Sequence, residues 1–164
     1  MEAGAERRVM PWVRGSEGAI TGTVVCAAAI AYSAGSQTST TRLCIAIVGT
    51  AFVYWLAHLH ARTLASAMTH EHHPLAALRL ELSETWSILA AAVPPVVVLV
   101  AFDVFGADLA DAAWAALWTT IALLVVYSYV AGARGGLDRW GRFWSAVLGG
   151  LLGLVVVAFK VALH

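Results

Sequence analysis

Residues 112–132 read AAWAALWTTIALLVVYSYVAG and contain no charged side chain. The hydrocarbon core of a bilayer is about 30 Å thick and takes about 20 mostly apolar residues per helix. This stretch therefore predicts a transmembrane helix, and the rest of the chain follows the same pattern.

Four further stretches have a similar length and few charges: 18–35, 43–64, 85–105 and 143–163. We predict an all-α, polytopic membrane helix bundle of five transmembrane helices, forming a single domain over residues 1–164. The composition agrees, because 60% of the residues are hydrophobic and only 12% are charged, against about 25% in soluble domains. A four-span alternative treats 18–35 as a cleaved signal sequence.

The lysines and arginines predict the orientation, because positive residues collect on the cytoplasmic side of a membrane protein. Eight of the ten precede the first span or flank the second and fourth connections, while Arg42 and Lys160 belong to the other side. The N-terminus is therefore predicted to be cytoplasmic and the C-terminus external, in a bacterial-type plasma membrane. Ten positive residues against ten negative ones leave no basic excess for nucleic acid.

Charged side chains collect at one depth of the predicted bundle. Glu17 opens the first span, His58 and Arg62 share one face of the second because they are four apart, and Glu81 and Glu84 precede the third. Ionisable residues in a membrane are costly and often mark ion or proton pathways. We predict an ion path at these five residues, and the alternative is a structural layer of ion pairs.

The connection 66–84 carries a dense cluster made of His70, Glu71, His72 and His73. Imidazoles and carboxylates are ligands for divalent transition metals, so the cluster is a predicted metal site at the cytoplasmic mouth. A solvated polar turn is the alternative. The spacing does not choose among Fe, Mn, Zn, Co and Ni, and the sequence requires no cofactor.

Two backbone features are predicted to shape the bundle. Pro94-Pro95 interrupts the third span, which predicts a kink that either serves packing or opens a path. Glycines four apart allow helices to approach closely, either within the chain or at a dimer seam. These are Gly18 and Gly22 in the first span and Gly149 and Gly153 in the fifth.

Six tryptophans lie near the predicted ends of the spans. An indole ring has an apolar body and an N–H that needs a partner, so it is favoured at the membrane–water interface. We predict that these residues anchor the helices at the interface. They are Trp12, Trp55, Trp86, Trp114, Trp140 and Trp144.

Four stretches resemble the vacuolar iron transporter family. Gly15–Thr21, GSEGAIT, resembles the Gly-x-x-Asp-Gly-x-x-Thr stretch of the family's first helix, with Glu17 at the acidic position. The others are similar to the second, third and last helices: Gly49–Ala57, Leu89–Pro94 and Gly149–Gly153. The resemblance implies five spans, helices that extend into the cytoplasm with metal ligands, a homodimer, and export of Fe²⁺ or Mn²⁺ in exchange for protons.

Together these features predict an integral membrane cation transporter in the lipid bilayer, with proton-coupled movement of a divalent transition metal through a homodimer. One alternative is a non-transporting membrane module, a structural partner or sensor, in which Arg62 pairs with Glu81 or Glu84 and seals the pathway. Another is a small proton or monovalent cation channel. No G-x-S-x-G, H-E-x-x-H or P-loop motif occurs, so the protein is not expected to be an enzyme.

Overall fold

The structure is a computed structural model that describes the backbone of residues 11–70, 81–82 and 85–163. Within these ranges every regular element is an α-helix. The helices are α1 Pro11–Ser33, α2 Thr40–His70, α3 Val93–Val104, α4 Leu109–Arg134 and α5 Arg139–Leu163. A helical stretch over 85–90 precedes α3 and is joined to it by a turn at 91–92.

Among the described residues, four segments are long and apolar enough to cross a membrane: Thr40–Ala65, Thr85–Val104, Leu109–Arg134 and Arg139–Ala162. Glu17–Ser33 is a shorter apolar helix. Large apolar side chains on the outer surface, among them Trp118, Leu151 and Phe159, are more than half exposed. Apolar surface of this extent requires a lipid environment. The predicted all-helical membrane bundle is confirmed at this level, and the protein is an integral membrane protein.

The helix α1 lies at the centre of the bundle. Nine of the seventeen residues of Glu17–Ser33 are buried, and α1 contacts α2, α4 and α5. Its Cys26 and Ile30 are fully buried in the same core cluster as Leu99 of α3 and Leu117 of α4. The main core is therefore built around α1, at the depth of the four longer apolar segments.

Contacts at the two ends of the bundle show that α2 and the segment leading into α3 run in opposite directions. At the start of α2, Thr40 Oγ1 donates to Asp103 Oδ1 near the end of α3, at 2.6 Å. At the opposite end, Arg62 of α2 contacts Glu81, which precedes α3. We call the end where α2 finishes and α5 begins the proximal end, and the end that holds Thr40 and Asp103 the distal end.

The helices α2 and α4 begin and end outside the apolar stretches that predict them, and α5 begins outside its stretch. The backbone of Asp108 is extended, with φ −62° and ψ 146°, and α4 starts at the next residue. Asp138 Oδ1 accepts a hydrogen bond from the Gly141 N–H at 2.8 Å in the first turn of α5. The Asp138 side chain thus satisfies one of the free N–H groups at the start of α5.

The helix α2 has 31 residues. At 1.5 Å per residue its length is about 46 Å, which exceeds the roughly 30 Å of a bilayer core. The helix α2 therefore continues beyond its apolar stretch, 43–64, to His70.

The third segment, by which we mean residues 85–104 with the described residues 81–82 before them, has an interrupted helix where the kink is predicted. The turn at 91–92 ends the first part, and α3 restarts at Val93 with Pro94-Pro95 in its first turn. A proline is favoured in the first turn, since its missing N–H has no acceptor within the helix there. The Ala92 N–H still donates to the Leu89 carbonyl at 3.0 Å.

Both predicted glycine motifs lie at contacts between helices of the same chain. A Cβ on Gly22 would lie 2.5 Å from the Ile88 carbonyl oxygen, and a Cβ on Gly153 would lie 2.9 Å from the Ile121 side chain. Only glycine permits these approaches. The other two positions behave alike, with Gly18 against Ser87 and Gly149 against Ser128.

Candidate functional site

A small polar pocket lies towards the proximal end, between α1, α2 and the helical stretch 85–90. Its volume is about 10 Å³, which is room for about one water molecule. Three of the five predicted ion-path residues share this pocket, which we call the proximal pocket. Its lining is Glu17, Gly18, Thr21, His58, Arg62, Thr85 and Ile88.

One side of the proximal pocket is closed by an ion pair. Arg62 Nε donates to Glu81 Oε2 at 2.6 Å. The Glu81 side chain is 7% exposed, whereas the Arg62 side chain is 28% exposed. A short bond between opposite charges is about twice as strong as a neutral one, and here it satisfies a carboxylate that is nearly removed from solvent. The predicted pairing of Arg62 with a glutamate of the third segment is present in this structure.

Two hydrogen bonds connect Trp55, through Thr85, to the backbone of Glu81, the acid of the ion pair. Trp55 Nε1 donates to Thr85 Oγ1 at 3.1 Å, and the Thr85 hydroxyl donates to the Glu81 carbonyl oxygen at 2.8 Å. Trp55 and Thr85 are both buried. These two hydrogen bonds therefore fix α2 against the start of the third segment at the level of Glu81.

The role of Trp55 differs from the predicted interfacial anchor. Its ring is 9% exposed and packs with Leu59 and Ile88 in a small core cluster. Trp55 precedes Arg62 by seven residues, which is about two helical turns, so the two share a helix face. That spacing is the signal in the sequence that associates Trp55 with the site. Its partner Thr85 carried no such signal.

His58 and Glu17 face the proximal pocket from two different helices. The His58 ring is half-buried and stacks on Tyr54, with centroids 6.1 Å apart and planes at 19°. His60, two residues later, is exposed, as a helical rotation of about 200° requires. Glu17 is exposed beside the pocket, and its carbonyl oxygen accepts from Thr21 Oγ1 at 2.9 Å.

This arrangement can hold and transfer protons. It combines a carboxylate, an imidazole and an ion pair around a space of one water molecule. A water in the pocket would lie within reach of Glu17, His58 and Arg62, which all line it.

Several predicted residues lie outside the site or outside the described residues. Glu84 and the range 71–73, which contains Glu71, His72 and His73, are not described, and His70 is described only as the last residue of α2. Within the described part of the chain, no group of three or more His, Cys, Asp or Glu side chains is placed to hold a metal ion. The predicted metal site at His70–His73 stays a prediction.

The interruption near Pro94-Pro95 adjoins an apolar groove rather than a polar path. This groove between α2 and the third segment has a volume of about 720 Å³. Ala92, Val93 and Val96 line one wall, Val48 and Phe52 line the other, and no charged side chain of the described residues lines it. An apolar groove of this kind suits lipid chains, not ions.

A second buried charge lies near the distal end. Lys160 of α5 is 8% exposed, and its Nζ lies 4.2 Å from the centre of the Trp114 ring in α4. Trp114, a predicted interfacial anchor, thus contacts a cation inside the bundle. A cation over an indole face is stabilised by the ring's quadrupole.

No family model matches this chain, and neither does any curated protein or solved structure. The resemblance to the vacuolar iron transporter family therefore stays a prediction from four short stretches. The geometry of the proximal pocket is the main guide to function.

Proposed function

We propose that the protein is an integral membrane cation transporter in which the proximal pocket is a proton-linked gate. The observation that carries the proposal is the meeting of Glu17, His58 and the Arg62–Glu81 pair around one small pocket between three helical segments. Ionisable groups are rare inside membrane bundles because their desolvation is costly, and they often serve ion or proton movement.

The gate depends on competition among Arg62, a cation and a proton for the carboxylate of Glu81. In the present conformation Arg62 is bonded to Glu81, and the pocket has room for about one water molecule. A cation that reaches this level replaces Arg62 at the carboxylate, while protonation of Glu81 removes the charge that holds Arg62. Both events weaken the same bond, so proton binding and cation binding are linked.

We extend the proposal to five spans, with α1 as the fifth. The helix α1 has 23 residues, which give a length of about 35 Å, and its burial in the main core supports insertion to the same depth as its neighbours. The distribution of lysine and arginine supports a cytoplasmic N-terminus and an external C-terminus, in a bacterial-type plasma membrane.

The cargo we propose is a divalent transition metal, moved by a homodimer without enzymatic activity. The support comes from the sequence: the cluster at His70–His73 at the end of α2 and the resemblance of the first helix to the vacuolar iron transporters. A metal held near His70 would lie on the same side of the bundle as the proximal pocket, since α2 ends at the proximal end.

One observation favours a second candidate, a non-transporting membrane module that acts as a structural partner or sensor. The Arg62–Glu81 bond and the 10 Å³ volume describe a sealed polar layer. In this alternative the ion pair positions α2 against the third segment and never opens. A proton or monovalent cation channel is a third candidate that uses the same pocket without metal.

Proteoliposomes that contain a pH-sensitive dye and a metal-sensitive dye distinguish the three candidates. For the metal transporter we expect Fe²⁺, Mn²⁺, Zn²⁺ or Co²⁺ to enter with proton movement in the opposite direction, and we expect Glu17→Gln and His58→Gln to lose most of the flux. His60→Gln is the matched control, because His60 is exposed outside the pocket.

Proton or K⁺ flux without metal flux would replace the transporter with the channel. If no cation moves at any pH between 5 and 8, although the reconstituted protein keeps its helical content, the transporter proposal is wrong and the sealed module stands. The window of about pH 5–8 is chosen because a histidine changes charge within it.

A further inference from the structure

The first turns of α5 expose an aromatic surface at the proximal end. Trp140, Phe143 and Trp144 are 69%, 54% and 56% exposed. Their rings contact one another edge to face, with Trp140 6.1 Å from Phe143 and Phe143 6.0 Å from Trp144. We call these three rings the α5 aromatic surface. Indole rings are favoured at the level of the lipid headgroups, which places this surface at a membrane interface.

An arginine adjoins this surface. Arg139, Trp140 and Phe143 line a cleft of about 240 Å³. Arg139 is exposed, and in the described part of the chain no ion pair or hydrogen bond involves its side chain. Arg134, which ends α4, is also exposed, and only the four residues 135–138 separate it from Arg139.

The neighbouring charged side chains are directed to the backbone instead. Asp138 Oδ1 accepts from the Gly141 N–H at 2.8 Å, and Arg142 Nε donates to the Leu137 carbonyl oxygen at 2.9 Å. Asp138 therefore acts as a helix cap, and Arg142 as a brace of the turn. Arg139 is the guanidinium that this arrangement presents to the cleft.

We infer that this cleft binds an anionic phospholipid, with its phosphate at Arg139 and its glycerol and upper acyl chain against Trp140 and Phe143. A guanidinium binds a phosphate through two parallel hydrogen bonds, and aromatic rings stabilise the adjoining apolar part. A phospholipid carries both chemistries in one molecule at the depth where the two features meet. A free phosphate would use Arg139 and leave the exposed rings without a role.

The site is independent of the proposed ion path. It lies on α5, whereas the proximal pocket lies between α1, α2 and the helical stretch 85–90. Failure of one proposal therefore leaves the other standing. Lipid binding at this cleft would retain an anionic lipid against the turn that joins α4 to α5.

Native mass spectrometry of the full chain, released from detergent with phosphatidylglycerol or phosphatidylcholine, tests the inference. We expect phosphatidylglycerol to bind more tightly than phosphatidylcholine, and Arg139→Ala to weaken phosphatidylglycerol binding about fivefold, the effect of one arginine at an anionic surface. Trp140→Leu should weaken the binding of both lipids. The matched control is Arg42→Ala, since Arg42 is an exposed arginine at the distal end.

Three results would overturn the inference. Equal binding of the two lipids would remove the headgroup preference. An equal loss in Arg139→Ala and Arg42→Ala would show a general charge effect rather than a site. Displacement of phosphatidylglycerol by excess glycerol phosphate would assign the cleft to a soluble phosphate ligand. Each variant is compared with the wild type by circular dichroism, so that loss of folding is recognised separately.

Discussion

Arg62 of α2 and Glu81 of the segment that leads into α3 are joined by a 2.6 Å hydrogen bond between Nε and Oε2. The carboxylate is nearly removed from solvent, while the guanidinium keeps partial access. Because of this difference in exposure, Glu81 depends on the ion pair more than Arg62 does. Without Arg62 the charge of Glu81 would stay buried, whereas without Glu81 the Arg62 side chain could turn towards solvent.

We expect Arg62→Ala to lower the free energy of unfolding by about 3 kcal/mol, since it leaves a buried carboxylate without its counter-charge. The double variant Arg62→Met with Glu81→Leu should recover most of this loss, because an apolar pair removes the desolvation of both charges. Unfolding in mixed micelles, followed by circular dichroism, measures both values. A double variant less stable than Arg62→Ala would contradict this account of the pair.

Trp55 and Thr85 provide a test of the two hydrogen bonds that connect Trp55 to the backbone of Glu81. Trp55→Phe keeps an aromatic ring but removes the N–H that donates to Thr85 Oγ1 at 3.1 Å. We expect a loss of about 1 kcal/mol from the hydrogen bond, in addition to any loss from the smaller ring. Trp118→Phe is the control, because Trp118 is 55% exposed. If Trp55→Phe and Trp118→Phe lowered the free energy of unfolding equally, the hydrogen bond from Trp55 to Thr85 would not be a source of stability.

The close approach of α1 to the third segment is tested by Gly22→Ala. The added Cβ would lie 2.5 Å from the Ile88 carbonyl oxygen and 2.9 Å from Ala91 Cβ, so the helices must separate. We expect a loss of about 2 kcal/mol from this overpacking, measured as a lower thermal midpoint in detergent. Gly49→Ala is the matched control in α2, since nothing lies within 4 Å of its Cβ, and it should not destabilise the protein.

Lys160 and Trp114 form the distal counterpart of the proximal ion pair. Trp114→Leu should destabilise the wild type by about 1 kcal/mol more than it destabilises a Lys160→Met background, because the cation–ring attraction exists only in the former. Thermal unfolding of the four proteins in one double-mutant cycle measures this difference. Additive effects would show that the 4.2 Å contact contributes packing alone.

Periodicity and charge in the sequence were enough to predict the helical segments and part of the site. Apolar length predicts five spans, of which four qualify as spanning helices among the described residues and the first, Glu17–Ser33, is a shorter apolar helix. The spacing of four residues places His58 and Arg62 on one face. The pairing of Arg62 with Glu81 or Glu84 is one of the alternatives that the sequence leaves open, and the Arg62–Glu81 pair is present in the structure. These inferences succeed because they depend on distance along one helix, which the rise of 1.5 Å per residue determines.

The sequence by itself therefore determined that this is a helical membrane protein and that Glu17, His58, Arg62 and Glu81 lie at one level of the bundle. Only the tertiary structure decided that Arg62 contacts Glu81, that Trp55 turns inwards to Thr85, that Pro94-Pro95 begins a helix beside an apolar groove, and that Lys160 lies over Trp114. The physical reason is that each of these contacts depends on the rotation and offset of one helix against another. Packing of small side chains such as Gly22 against Ala91 decides those two quantities.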